Sequence, residues 1–228
     1  MNLSKKILSW YDNNKRTLPW RISRNFKKKQ YYRILSEFML QQTQVKTVIP
    51  YFNNFVKKIP TLKALSKNNE KEILKLWEGL GYYRRVKNLH KTAKILVKNY
   101  KSKLPDKFDQ IKKLPGVGEY TANALLALVY NQSRIAIDGN VKRVFSRLFN
   151  LKEKLNEKVY EKKFKKLFNT DRNADLVEAL MEFGAVICKP QNPLCNICNL
   201  RNNCYFFKNK ILFSKSKKRF IKEKKYNI

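Results

Sequence analysis

Acidic residues are scarce in this chain. Its 228 residues hold 17 Asp and Glu against 51 Lys and Arg, a formal charge of +34. That imbalance points to a polyanionic partner, nucleic acid before any other. Lys, Asn and Ile all have A/T-rich codons, so mutational drift accounts for part of the excess. A lysine-covered surface would still bind DNA with steep salt dependence. Long apolar runs are missing, which excludes a membrane-spanning helix and a membrane partner. Met1 to Asn14 lacks the apolar core of a signal peptide, so a reducing cytoplasm is expected. Alternating strand patterns are absent, no period of roughly 20–50 residues recurs, and nothing reads as a heptad seam, so a monomer is expected. The single histidine, His90, lies beside Leu89 on an amphipathic stretch and reads as a packed residue rather than a catalyst.

What is present is helical, and the fold class is expected to be all-α with about ten short helices. Ile73, Leu74 and Trp77 share one face of Lys71 to Glu78, with Asn69 and Glu72 resembling a capping box ahead of it. Val86, Leu89, Ala93, Leu96 and Val97 make a second stripe. Thr121 to Tyr130 is apolar nearly all round and predicts a buried central helix. Val141, Val144, Phe145 and Leu148 form another stripe, and Leu176, Leu180, Phe183 and Ile187 one more. Residues 208–228 are mostly Lys with scattered aromatics and read as a basic tail.

Cysteine is confined to one stretch: Cys188, Cys195, Cys198 and Cys204, spaced C-x6-C-x2-C-x5-C. In a reducing compartment four thiolates so placed hold a metal centre rather than disulfides. Structural zinc sites favour two tight C-x2-C knuckles, and only Cys195 and Cys198 form one, so the uneven gaps favour an iron–sulfur cluster, with zinc as the alternative. Pro190 and Pro193 would fold the first gap as a compact loop.

Leu114-Pro115-Gly116-Val117-Gly118 precedes the central helix. A Gly-x-Gly turn entering a helix lets backbone approach an anion and aims free N–H groups at a phosphate, although most such turns are plain helix–helix connections. Two carboxylates stand alone in long basic or apolar stretches: Glu37 between Asp12 and Glu70, and Asp138 between Glu119 and Glu153. Taken singly, Asp138 reads as an N-cap and Glu37 as a buried carboxylate paired with an Arg. Together, beside a DNA-binding turn, they suggest cleavage of an N-glycosidic bond. That chemistry needs an acid for the leaving group and an anion for an oxocarbenium-like sugar.

Glu37 to Gln44, Trp77 to Tyr83, Leu114 to Gly118, Asp138 to Arg143 and the four cysteines, in this order, resemble the MutY-type adenine DNA glycosylases. These belong to the helix-hairpin-helix superfamily with endonuclease III. The resemblance covers roughly residues 7–207. It implies a bacterial, nucleoid-associated enzyme of two lobes. A six-helix lobe with the hairpin would span 29–132, and a second lobe 1–28 and 133–207, with a 4Fe-4S cluster held by the loop at 188–204. The substrate implied is double-stranded DNA with adenine opposite 8-oxoguanine or guanine, the adenine flipped into the cleft between the lobes. Glu37 would protonate adenine, and Phe38, Met39 and Leu40 suit the apolar pocket such an acid needs. Asp138 would stabilise the cation, with Asn140 supporting it or the water. Trp20, Arg21, Leu40 and Glu178 would line the adenine pocket. Gln42 and Tyr82 would wedge the stack, and Gln41 and Thr43 complete that segment, Thr43 reading the opposing base. Gly116, Val117, Gly118 and Lys189 would meet phosphate.

Tyr120 stands where endonuclease III-type enzymes carry a Schiff-base lysine, which implies a monofunctional glycosylase. It also argues, with Gln41 to Thr43, against an endonuclease III-like enzyme for oxidised pyrimidines, while Glu37 and Asp138 argue against a non-catalytic DNA-binding remnant of the fold. Departures remain. Typical members continue into a domain that recognises 8-oxoguanine, and here only the basic tail follows. Asn25 to Gln30 looks like an inserted surface loop. Glu119 holds a hairpin position where the family often has Arg, which should weaken DNA affinity.

Overall fold

The computed structural model describes residues 3–21, 25–151 and 157–209. Within them the chain is helical, with no strand: α1 Leu3–Asn14, α2 Phe26–Leu40, α3 Val45–Lys58, α4 Leu62–Lys67, α5 Glu70–Trp77, α6 Arg84–Asn99, α7 Phe108–Lys112, α8 Glu119–Tyr130, α9 Gly139–Phe149, α10 Glu157–Leu167, α11 Asn173–Val186 and α12 Tyr205–Lys208. Two single 3-10 turns, Cys195–Ile197 and Arg201–Asn203, lie inside the cysteine loop. The all-α expectation holds, with twelve helices where about ten were expected. No described helix is long and apolar enough to cross a membrane. Nearly all of the basic tail lies outside the described residues.

Local chemistry sets the boundaries. Asn25 caps α2 by accepting the Lys28 N–H, and Thr61 caps α4 through the Ala64 N–H. The stretch Asn25 to Gln30 is therefore not a surface loop. It is the cap and first turns of α2, because lysine is a good helix former and the Gln30 amide is anchored by Ser102 and Leu104. Asn69 caps α5 through the Lys71 N–H, the Asn half of the expected box. Asn131 and Asn150 close α8 and α9 in left-handed conformation, at φ 57° and 55°.

Two apolar clusters form the lobes. The first is built from α2 to α8 and includes Phe38, Phe52, Phe55, Trp77 and Leu89. The second is built from α1, α9, α10 and α11 and includes Tyr11, Phe145, Phe164, Leu180 and Phe183. The central helix α8 serves both. Ala122, Leu125, Leu126 and Val129 pack into the first, and Ala124, Ala127 and Leu128 into the second. This explains its lack of a polar face. Leu18 and Trp20, ahead of α2, pack with the first cluster. Cutting a fully buried aromatic such as Phe52 to alanine should cost about 3–5 kcal/mol.

Candidate active site

A cleft of about 1300 Å³ opens where the two clusters meet. Its walls come from the end of α2, the 16–21 segment, the N-terminal turns of α8 and α9, and α11. Glu37, Asp138, Tyr120 and Asn140 all line it, as do Trp20, Arg21, Leu40, Gln41, Gln42, Thr43, Tyr82 and Glu178. Gly116, Val117, Gly118 and Lys189 do not. The hairpin turn joins the cleft lining through Gln41, which donates to the Gly116 carbonyl at 3.3 Å. At the cysteine loop it is Pro190, not Lys189, that reaches the cleft wall.

Glu37 lies on the last turn of α2, 7% exposed, directly ahead of the fully buried Phe38 and Met39. Among the described residues its carboxyl has no hydrogen-bond or ion-pair partner. Burial pushes its pKa up to about 7, the charges of Glu178 and Asp138 adding and Arg33 opposing. Arg33, one turn away on the same helix, is not its partner: that guanidinium goes to Glu178, at 2.6 and 3.1 Å.

Asp138 is indeed the N-cap of α9, and it also faces the cleft. One carboxylate oxygen accepts the Val141 N–H at 2.7 Å and the other the Asn140 side-chain amide at 2.9 Å. Burial raises its pKa, while those donors and the Arg143 charge work against the rise. Asn140 is itself held by Arg143, which donates to its side-chain oxygen at 2.7 Å, to the Gly184 carbonyl at 2.8 Å and to the Cys188 carbonyl at 2.7 Å. A chain of polar contacts thus runs from the Asp138 carboxylate to the first cysteine. Gly184 makes this possible: a Cβ there would come within 2.6 Å of the Asn140 side chain.

Tyr120 occupies the first turn of α8. Burial, with the Glu37 and Asp138 charges, raises its phenol well above the usual range, so it stays a neutral hydroxyl. Glu178 lines the cleft, but its oxygens are committed. They accept from Arg21 at 2.8 Å, twice from Arg33, and from the Tyr11 hydroxyl at 3.0 Å. Burial pushes this carboxyl up, yet the Arg33 and Arg21 guanidiniums outweigh it and hold it below the carboxylate range. Arg21 and Arg16 also bind Glu182. At the rim, Gln42 and Tyr82 are left-handed at φ 59° and 49°, and Tyr82 is 62% exposed. Each such residue costs of order 1–3 kcal/mol and persists only where its surroundings hold it.

All four cysteines surround a second, small cavity of about 30 Å³ with Arg147, Leu194 and Phe206. Among the described residues no group of three or more His, Cys, Asp or Glu side chains is arranged to hold a single metal ion. One zinc needs four sulfurs at about 2.3 Å from a common centre, whereas a cubane cluster spreads them over its corners. Burial and the neighbouring thiols push Cys195 and Cys204 up, and Cys198 to about 11. Thiolates at these positions need a cationic centre beside them to stay ionised.

Residues 35–170 match the HhH-GPD superfamily, described as base excision DNA repair proteins. This chain belongs to that superfamily. It is 42% identical over 209 residues to the adenine DNA glycosylase of Buchnera aphidicola subsp. Baizongia pistaciae, covering 90% of this chain and 58% of that protein. It is 37% identical over 207 residues to the human adenine DNA glycosylase, covering 87% of this chain and 38% of that protein. It spans 58–60% of the Buchnera relatives' length. Among solved structures a thermostable thymine-DNA glycosylase superposes with a TM-score of 0.80 at 26% identity, covering 90% of this chain and 95% of that one. Endonuclease III trapped on DNA superposes at 0.75 and 22%, over 91% and 94%. The fold of this HhH-GPD protein is thereby shared with both.

Sequence reasoning missed four arginines of this HhH-GPD site. Arg16 and Arg33 find carboxylates on α11, roughly 150 positions away, and no local pattern announces such pairs. Arg143 lies inside the Asp138 motif, but its partners Gly184 and Cys188 are roughly forty positions away. Arg85 directly precedes Val86 in the apolar stripe of α6, and that adjacency was the available signal.

Proposed function

We propose that this chain is a monofunctional DNA glycosylase that hydrolyses the N-glycosidic bond of adenine opposite 8-oxoguanine or guanine. The observation that carries the reading is the contrast between two carboxyls in one cleft. Glu37 has no donor and is held protonated towards neutral pH, while Asp138 has donors on both oxygens and is the member of the pair suited to carry charge. With adenine flipped into the cleft, Glu37 gives its proton to the base nitrogen. The C1′–N bond breaks with its electron pair going to the base, and Asp138 stabilises the sugar cation until water adds at C1′. The neutral Tyr120 offers no amine, so no Schiff base forms and the strand stays whole. Names of the relatives and the basic surface support adenine and duplex DNA as substrates.

Cys188, Cys195, Cys198 and Cys204 would hold a 4Fe-4S cluster, which supplies a structural centre when bound. The cavity that all four sulfurs share and their uneven spacing along the chain are the observations behind this reading.

Single-turnover release of adenine from an A:8-oxoguanine duplex tests the reaction. Wild type should release the base without nicking the strand, and Glu37→Gln should not. Release of thymine glycol instead of adenine would overturn the substrate, and borohydride trapping that survives removal of surface lysines would overturn monofunctionality. A colourless, zinc-containing protein would overturn the cluster.

A further inference from the structure

We infer that Arg85 is a positioning residue that pre-forms the two rim turns carrying Gln42 and Tyr82, so that the wedge exists before DNA arrives. The reading rests on the proposed glycosylase function for the role of those turns, and on geometry for the rest. Arg85 is on the first turn of α6, 7% exposed. One of its terminal nitrogens donates to the carbonyls of Phe38, Met39 and Gln41 at 3.2, 2.7 and 2.6 Å. The other donates to those of Leu80 and Gly81 at 3.2 and 3.0 Å. A single guanidinium thus ties the turn ending at Thr43 to the turn ending at Tyr82. Its central carbon also lies over the rings of Trp77 and Tyr82, at 5.3 and 5.4 Å from their centroids.

Among the described residues no carboxylate pairs with this buried cation. The compensating charge is the C-terminal end of α2, whose last carbonyls have no intrahelical donor and carry the negative end of the helix dipole. Arg85 is therefore a side-chain cap on the helix that bears Glu37, and the same cap reaches across to the second turn. Lysine cannot replace it, since a point donor with three protons cannot span five carbonyls on two turns. The rest of α6 supports the arrangement. Asn88 and Thr92 follow on the same face. Asn88 packs where a Cβ on Gly116 would stand, at 2.8 Å, and the Thr92 hydroxyl donates to the Pro115 carbonyl at 3.0 Å. One helix face thus holds both rim turns and the hairpin turn.

The gain is entropic and conformational. Gln42 and Tyr82 occupy left-handed backbone that neither residue favours, and their turns would otherwise sample other conformations in the free protein. Extruding a base requires unstacking it, and a wedge already in place contributes to that step alone. An adenine that is already unstacked should not need it.

The test compares Arg85→Lys and Gly81→Ala with wild type. Gly81 has φ +75° and open space around a Cβ, so alanine strains the turn without touching the core. On a duplex carrying an abasic-site analogue opposite 2-aminopurine, wild type should raise the fluorescence as the wedge unstacks the probe. Arg85→Lys should lose most of that rise, and Gly81→Ala part of it, with affinity by anisotropy kept within about threefold. Adenine release from an A:8-oxoguanine duplex should slow about thirtyfold in Arg85→Lys, and only about threefold from a single-adenine bulge. An unchanged fluorescence rise, or equal slowing on duplex and bulge, would overturn the inference. Wild type that releases no adenine from either substrate would sink the glycosylase reading only, because the fluorescence arm needs binding and not chemistry.

Discussion

Glu37→Gln should make the protein more stable as it removes activity, and the gain should depend on pH. A carboxyl whose ionisation midpoint moves from 4.5 to about 7 on folding costs about 3 kcal/mol to charge in the folded state, at ~1.4 kcal/mol per pH unit. The sign follows from proton counts. Below pH 4.5 the group is neutral in both states and no penalty exists. Between 4.5 and about 7 the unfolded chain releases the proton that the folded chain keeps, so the penalty grows, and above about 7 it is complete. Glutamine has the shape of the protonated acid and never ionises. Glu37→Gln should therefore match wild type near pH 4.5 and exceed it by about 3 kcal/mol at pH 8. For a chain of this size that is a rise in Tm of about 6–12 °C at pH 8. Thermal unfolding of both proteins at the two pH values measures it. A Tm difference that is the same at both, or a variant less stable at pH 8, would refute a partnerless, protonated Glu37.

Two other perturbations follow from the same cleft. Asp138→Asn should lose adenine release while the protein stays folded by circular dichroism, because Asn keeps the α9 cap bond from the Val141 N–H. In wild type the single-turnover rate should fall as acid protonates Asp138, whose pKa lies above its ordinary value, and fall again as pH rises through about 7 and Glu37 ionises. Arg143→Lys keeps the charge but loses the fork that holds Asn140, Gly184 and Cys188. Release should drop about a hundredfold with DNA affinity little changed, read by single-turnover kinetics against anisotropy.

Much of this was legible in the sequence, and the reason is the range over which each signal acts. The stripes of α6, α9 and α11 repeat at helical spacing, so Leu89, Val144 and Leu180 declare their own burial. Asp138 and Glu37 stood out because acids are rare around them. What was not legible depends on distant partners. Arg33 and Glu37 are one turn apart on α2, the spacing at which an ion pair forms, and Glu37 read singly asks for some Arg partner. The fold brings Glu178 from α11 to the same guanidinium and leaves Glu37 alone. Asn25 to Gln30 misled for the opposite reason: its lysines imitate a solvated loop, while the Asn25 cap and the Gln30 anchor make it helix.

The allocation of Arg33 is what separates the two carboxyls on this side of the cleft. Glu178 takes both Arg33 and Arg21 and is held ionised, so the opposing guanidinium is spent away from Glu37. Glu178→Gln removes the carboxylate but keeps the shape. Arg33, now without an anion, lies one turn from Glu37, and leaving it buried and unpaired would cost about 3–5 kcal/mol. It should turn to Glu37, ionise it and pull its pKa down from about 7. The alkaline fall in adenine release should then move to lower pH, with the rate at neutral pH lost and partly regained in acid. If Glu178 instead acted only by touching the base, the rate would drop at every pH and the alkaline fall would stay near 7. A pH profile of single-turnover release by Glu178→Gln decides between the two, and an unmoved alkaline limb would refute the division of charge argued from these distances.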